Sequence, residues 1–447
     1  MPKTWVIIAL MRLDFLSAKY LERLHQSGQA DLYSVSRDCA LKVNDGSIPP
    51  LPYTDMLVDE GQDTDDIQRV WIFAHARAGT RVCIVGDDDQ SIYEWRHALG
   101  FSGMKSFLDA FQATRIELGD NFRCRSEILD HAGILISNNR ARLGKNLVAR
   151  RGSGGVIFAV RSASPEAECD HLAQLVASSP KQHTNAVVLS RRNRSLDVLE
   201  MAFRSRGIDY KRIGASIWND ALISGYLAFL QTLLDGSSVG ILAIANNRGI
   251  ADATRAQLMS KITANPDQFL DGHMPEMSNL SEIERKPVEA LSQDCAYWRR
   301  QLRASSVNEV VLEVGEVFSG FTRSTPRKDL MLMCARILSE MRGTLSSRLR
   351  TVSTRNRDIS QESIVLMTMH GSKGLEFETV HIMDARDSKD MSDLIDLEPE
   401  RRLMYVGMTR AKERCVVWFS GDPHFSIAES QLPIKHLAAD VRALFEH

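Results

Sequence analysis

Two short apolar runs, each ending in a string of acids, constrain this chain more than anything else in it. Met56-Leu57-Val58 leads into Asp59-Glu60-Gly61-Gln62-Asp63-Thr64. Val82-Cys83-Ile84-Val85 leads into Gly86-Asp87-Asp88-Asp89-Gln90-Ser91-Ile92-Tyr93-Glu94-Trp95-Arg96. Unbroken apolar runs of this length read as buried parallel strands with carboxylates at their C-terminal ends. Open α/β sheets place ligands at that edge. There Asp59 can hold Mg²⁺ through water, and Glu60 can take a proton from an attacking water, as at a metal–nucleotide site. Solvated strand ends are the other reading of Asp59-Glu60 taken alone; the second motif in tandem favours the site. Gln90 is an uncharged donor suited to a γ-phosphate or a water. Tyr93 and Trp95 alternate on an expected extended segment, with Arg96 beside them, and offer rings for base stacking. Two core aromatics are the alternative.

Bulk properties bound the partners. The net charge is −2 over 447 residues, so any nucleic-acid site is a local patch and not a polycationic surface. The seven cysteines are scattered without a CxxC pair. Neither zinc nor a disulfide framework is implied, and a reducing cytoplasm fits. The apolar run Trp5–Met11 is too short to span a bilayer and reads as buried structure, so no membrane association is expected.

Along the chain, residues 14–25 have helical spacing and residues 65–78 read as a helix. A strand ends near Leu118, and Ser126 caps a helix over 127–137. The basic stretch Arg140, Arg142, Lys145, Arg150, Arg151 tracks a phosphodiester backbone or is a solvated face. Strands at 155–160 and 185–190 alternate with helices at 165–177 and 194–206, a second α/β unit. Helices then dominate from Trp218 to about Arg350, around an irregular stretch at 262–281. The α/β pattern returns with strands at 364–367, 379–383 and 415–419. Between them a helix at 400–413 turns Leu403, Val406 and Met408 to the core while Arg410 projects. A closing helix is expected at 433–446. The expected fold class is α/β: two parallel-sheet domains, with an all-helical insertion in the second.

These residues resemble a known family, the UvrD/Rep-type superfamily 1 DNA helicases. Val58–Asp63 resembles the family's form of Walker B, Val85–Arg96 its third motif and Asn121-Phe122-Arg123 its fourth. Thr368-Met369-His370-Gly371-Ser372-Lys373-Gly374-Leu375-Glu376-Phe377 resembles the fifth, and Glu400–Lys412 the sixth. Asn247-Arg248-Gly249-Ile250-Ala251 is similar to a hairpin that touches duplex DNA. The resemblance implies two RecA-like domains, ATP and Mg²⁺ as cofactors, and single-stranded DNA and single-strand/duplex junctions as partners. It implies ATP hydrolysis coupled to translocation and unwinding with 3′→5′ polarity. Asp59 would be the metal ligand, Glu60 the catalytic base and Gln90 the γ-phosphate sensor. Arg123 and Arg410 would stabilise the transferring phosphoryl group, with Gly374 and Glu376 also at the nucleotide. Tyr93, Trp95, Arg96, His370, Arg248 and Gly249 would meet DNA.

The domains it implies are a remnant of a helical 1B-like region (1–54), a partial domain 1A (55–124), domain 2A (125–215 and 351–447) and helical domain 2B (216–350). The chain also departs from the family. Gly61 stands for an aromatic, and Glu94 and His97 stand for glycines. No G-x-x-x-x-G-K-[ST] phosphate loop occurs in these 447 residues. The expected first sheet therefore lacks an interior strand, and Val58 and Val85 lose neighbours. The expected activity of the chain alone is poor or absent. A truncated helicase, a split motor whose partner chain supplies that loop, and a non-hydrolysing DNA-binding scaffold are the competing expectations, with a separate nuclease as a further candidate partner.

Overall fold

The computed structural model describes residues 16–179, 184–263, 265–277, 280–353, 363–386 and 396–436. Both apolar runs are strands. β1 (Asp55–Val58) pairs in parallel with β2 (Arg81–Ile84), Met56 opposite Val82 and Val58 opposite Ile84. The period of two separates their faces. Met56, Val58, Val82 and Ile84 pack on Ile72, Phe73 and Phe107 from the helices Asp66–Arg77 and Gly100–Phe111. Asp65 caps the first of these helices in a capping box with Gln68. The opposite face, with Asp55, Leu57, Arg81 and Cys83, is exposed, as is Val85 beyond it. Val58 thus keeps neighbours on one side, whereas the Val85 side chain is half exposed. The expected helix near the N-terminus is present at 16–26, and a second runs Leu32–Asn44. Trp5–Met11 lies outside the described residues.

The chain forms two compact units. The first holds residues up to Asp120 together with 136–148 and 395–405, and the second holds the remainder. In the second unit seven strands form one all-parallel sheet. They are β3 (Val156–Ser162), β4 (Ala186–Ser190), β5 (Tyr210–Arg212), β6 (Ile364–Thr368), β7 (Phe377–Met383), β8 (Ala411–Ser420) and β9 (Ile434–His436). Their order is β9-β3-β8-β7-β4-β6-β5. The helices Pro165–Ser178 and Asn193–Ser205 cover it with a core that includes Leu172, Leu199, Phe203 and Trp418. Between β5 and β6 the described residues hold no strand. Helices from Ala221–Asp235 to Leu345–Ser353 close a separate apolar core around Tyr226, Phe229, Trp298 and Phe318. Gly240 lets the helix Val239–Asn247 lie against the helix Ala221–Asp235, because a Cβ there would stand 2.4 Å from the Phe229 Cα.

Several expectations are corrected. The helix expected at 400–413 is Glu398–Met408, and Ala411–Glu413 belong to β8. Pairing of Ala411 with Phe377 draws these residues into the sheet, and helix periodicity does not register that competition. Leu403, Val406 and Met408 are buried as expected. Ile434–His436 are a strand, not the start of a helix, because they occupy the free edge of β3 opposite Ala159–Arg161; residues 437–446 lie outside the described set. No strand includes Ile116 or Leu118, which are exposed. Ser126 does not cap the next helix; it is the first residue of the helix Ser126–Ile136. The irregular 262–281 stretch contains the helix Pro266–Leu270, and Asp252–Ile262 and Leu345–Ser353 are further helices not read from the sequence. Among the described residues no helix is long and apolar enough to cross a membrane.

Candidate functional site

In the first unit the turns after β1 and β2 come together. Asp59 and Glu60 are exposed at the end of β1, and Glu60 adopts a left-handed φ of 50°. Asp59 accepts the Glu60 N–H at 2.8 Å, which secures this turn. Gln62, wholly buried, joins the two motifs. Its amide nitrogen donates to Glu60 at 2.5 Å, and its oxygen accepts the Asp87 N–H at 2.9 Å. Gln90 then donates to the Asp87 carboxylate at 2.7 Å. Gly61 and Gly86 permit the close approach: a Cβ on Gly61 would lie 2.3 Å from Ile84, and one on Gly86 would lie 2.5 Å from Gln62. The structure therefore gathers Asp59, Glu60 and Gln90 at one sheet edge, with Gln62, which sequence reasoning passed over, as the buried link.

The three acids of the second motif are consumed locally. Arg142 grips Asp89 with two hydrogen bonds, 3.0 and 2.6 Å. Lys145 contacts Asp87 and lies 3.0 Å from Asp89, and the Leu143 N–H donates to Asp88 at 2.6 Å. Burial pushes Asp89 up, but Arg142 and Lys145 bring its carboxyl below the ordinary value. Burial likewise raises Asp88. Arg142 and Lys145 are thus neither a phosphodiester track nor a solvated face. Three consecutive partly buried acids need cations, and that need was the available sequence signal.

Tyr93 and Trp95 do not lie on an extended segment. Glu94–Arg96 is a turn of 3₁₀ helix, with the two rings edge-to-face at 6.4 Å and the Arg96 guanidinium over both. Trp95 is 70% exposed, which removes the core-aromatic alternative for it. Glu94, where the family has glycine, pairs with the buried Arg402 at 2.6 Å. His97, the other glycine replacement, takes a left-handed φ of 64°.

In the second unit, Arg123 pairs with Glu376 at 3.0 Å, and Lys412 reaches the same carboxylate at 2.8 Å. Hydrogen bonds from Lys412 and Arg123 hold Glu376 at about 2, well below an ordinary carboxylate. Gly374 is exposed with φ 80°, and His370 opens a short 3₁₀ turn after β6. Arg410 does not project. It is 1% exposed and donates to the carbonyls of Val406 at 3.0 Å and Leu375 at 3.2 Å. Those carbonyls hold it inside, where the helix turns into β8. In the helical part Arg248 is half-buried and paired with Asp294 at 2.6 Å, while Gly249 is exposed with φ 72° and open space around it.

Comparison with known proteins completes this picture. The description UvrD-like helicase C-terminal domain matches residues 116–274 and 279–420, about two thirds of the chain. The chain belongs to the UvrD-like helicase family. The UvrD/REP helicase N-terminal domain matches only residues 51–111. Among similar proteins, DNA helicase II of Haemophilus influenzae is 29% identical over 86% of this chain and 57% of its own length. DNA helicase II of Escherichia coli is 28% identical over 82% of this chain and 56% of its own. The ATP-dependent DNA helicase PcrA of Bacillus subtilis is 27% identical over 80% of this chain and 53% of its own. This UvrD-like chain thus spans little more than half the length of the relatives it matches. Both acid-ended strands of the first unit lie inside the N-terminal match, and the seven-stranded sheet, up to β8, lies inside the C-terminal one.

Proposed function

We propose that these residues are part of an ATP-dependent DNA helicase motor that couples ATP hydrolysis to movement along single-stranded DNA and unwinding at duplex junctions. The observation that carries this reading is the hydrogen-bonded string Glu60–Gln62–Asp87–Gln90 at the carboxyl ends of two parallel strands. It holds a base and a neutral donor in fixed relation beside Asp59. ATP with Mg²⁺ fits this set in part. Asp59 would give one metal ligand, and Glu60 would accept the proton of the attacking water. Among the described residues no group of three or more metal-binding side chains is present, so the other ligands would be water and phosphate. Arg123 and Arg410 would supply positive charge to the transferring phosphoryl group, with Gly374 and Glu376 at the nucleoside. Tyr93, Trp95, Arg96 and His370 would meet single-stranded DNA, and Arg248 and Gly249 duplex DNA. A grip on the β- and γ-phosphates has no counterpart in the sequence.

The expected result for the 447-residue chain alone is a DNA-stimulated ATPase rate equal to that of Glu60→Gln. A rate well above background that Glu60→Gln abolishes would overturn the expected impairment. Binding of a fluorescein-labelled oligo(dT), followed by anisotropy, tests the stacking role. Trp95→Ala is expected to weaken it by about 1–3 kcal/mol, roughly 5- to 150-fold. An unchanged affinity would remove Trp95 from the DNA path. A second reading, a non-hydrolysing DNA-binding subunit, draws on the Arg123–Glu376 pair, which engages the Nε of a guanidinium that phosphoryl transfer would use.

A further inference from the structure

A cavity of about 270 Å³ in the second unit takes no part in the proposed motor. It lies at the carboxyl edge of the seven-stranded sheet, where β4 ends at Ser190 and β7 at Met383. Open parallel sheets take ligands at that edge. Two helices start beside it. Ser164 caps the helix Pro165–Ser178, but the helix Asn193–Ser205 has Arg192 at its N-cap and no capping side chain. The first N–H groups and the dipole of such a helix favour an anion. Arg192, Arg194 and Arg386 line the cavity and are exposed, so they mark its outer end. Arg194 also pairs with Asp329 at 3.2 Å, and Arg386 with Asp384 at 2.6 Å. Guanidinium groups suit phosphate.

The inner end carries an independent signal. Glu168 lines the cavity and is 1% exposed. One of its oxygens accepts the Asp384 N–H, and the other has no partner among the described residues. Buried polar atoms ordinarily have one. Burial pushes this acid up to about 8, so at neutral pH its O–H is a donor that lacks an acceptor. Between the two ends the walls are apolar. Pro165, Val198 and Met383 contribute, with Met333 from the helix Thr325–Glu340. Methionine sulfur makes favourable contacts with aromatic rings. Pockets for drug-sized ligands run from about 300 to 1,000 Å³, so the occupant is small. A purine would add a second ring to a cavity already near that lower limit.

We propose that this cavity binds a free pyrimidine mononucleotide. Its phosphate meets Arg192 and the N-terminus of the helix Asn193–Ser205. Its base lies among Pro165, Val198 and Met333, with a ring acceptor on the Glu168 hydroxyl. The site does not rest on the motor reading.

Titration calorimetry of the full chain with cytidine 5′-monophosphate at pH 7 is expected to show saturable binding, at least tenfold tighter than that of inorganic phosphate or cytidine. Arg192→Glu, a charge reversal at an exposed position, should weaken it at least tenfold. At pH 9, one unit above the Glu168 midpoint, about a tenth of the chains keep the donor, so the wild-type affinity should fall about tenfold. Glu168→Gln keeps an N–H donor at the same place and should bind equally at pH 7 and 9. The other ionisable groups lining the cavity are Glu166, Asp384, Arg192, Arg194, Arg386 and Cys169. They are common to both proteins, so the difference isolates Glu168.

The absence of saturable binding, or binding that Arg192→Glu leaves unchanged, overturns the proposal. So does the same pH dependence in wild type and Glu168→Gln. Phosphate alone binding as tightly as the nucleotide would show that the apolar walls and Glu168 are idle, and would also overturn it. Binding of an oligo(dC) strand weakened by Arg192→Glu, without binding of the free nucleotide, would replace it with a DNA contact.

Discussion

Raising the pH from 5 to 8.5 should cost this protein stability through one buried acid, Glu168, and Glu168→Gln should remove that cost. Glu168 sits in the first turn of the helix Pro165–Ser178, 1% exposed. One oxygen accepts the Asp384 N–H at 2.5 Å, and the other has no partner among the described residues. Burial pushes the carboxyl up from 4.5 to about 8, and the neighbouring Asp384 carboxylate adds to the rise. The sign follows from which state holds the proton. Below about pH 4.5 both folded and unfolded chains carry it, and the contribution is fully present. Between 4.5 and 8 the unfolded chain releases it while the folded chain keeps it, so stability falls as pH rises through that window. At about 1.4 kcal/mol per unit, the full loss is on the order of 5 kcal/mol. Urea unfolding of wild type and Glu168→Gln at a series of pH values isolates this group by difference. Equal slopes for the two proteins would contradict the assignment. The same region holds Asp384 in a left-handed conformation, φ 56°, where its carboxylate accepts the Ser195 hydroxyl at 2.6 Å and pairs with Arg386 at 2.6 Å. By accepting the Asp384 N–H, Glu168 secures the turn that leaves β7.

Arg410→Ala should also destabilise the second unit strongly, by about 3–5 kcal/mol in urea unfolding. Arg410 is among the largest fully buried side chains, and its guanidinium satisfies the Val406 and Leu375 carbonyls. Truncation leaves those acceptors without it and opens a cavity. Arg410→Lys should recover only part of the loss, since an ammonium cannot reproduce the planar fork. A change within about 0.5 kcal/mol, the ordinary range for a surface site, would show that Arg410 is not held as described. This result bears on the catalytic reading. A guanidinium committed to two backbone carbonyls must expose a free N–H, or shift, before it can meet a phosphate. Loss of function in Arg410→Ala should be interpreted only alongside its stability.

Much of the architecture follows from local pattern. The unbroken apolar runs of β1, β2, β3, β4, β6 and β8 mark the parallel sheets before any contact is known, whereas the one-sided burial of β1 and β2 shows only in the structure. The loss of strand pattern between β5 and β6 marks the helical insertion in the same way. The residues of the candidate site stand in two short motifs, so Asp59, Glu60, Gln90 and Trp95 were legible as a set. Local pattern fails where an element is settled by a distant partner. Ala411–Glu413 continue a helical repeat but pair with β7, and Ile434–His436 could be helical but fill the edge of β3.

By itself the sequence determines the fold class, the order of the elements, and the chemistry available at the ends of β1 and β2, because side-chain periodicity and acid-ended strands are properties of neighbours in the chain. Tertiary structure alone decides what those side chains are free to do. Arg142 and Lys145 are spent on Asp87 and Asp89, Arg123 on Glu376, Arg248 on Asp294, and Arg410 on backbone carbonyls. Apart from the Val406 carbonyl, one helical turn from Arg410, their partners lie tens to hundreds of residues away, and the alternative to pairing is a charge stripped of water, whose cost no sequence spacing records. The bare face of Leu57 and Cys83 is the complementary case. Its residues are apolar in sequence like any core strand, and only the three-dimensional arrangement shows that nothing among the described residues covers them.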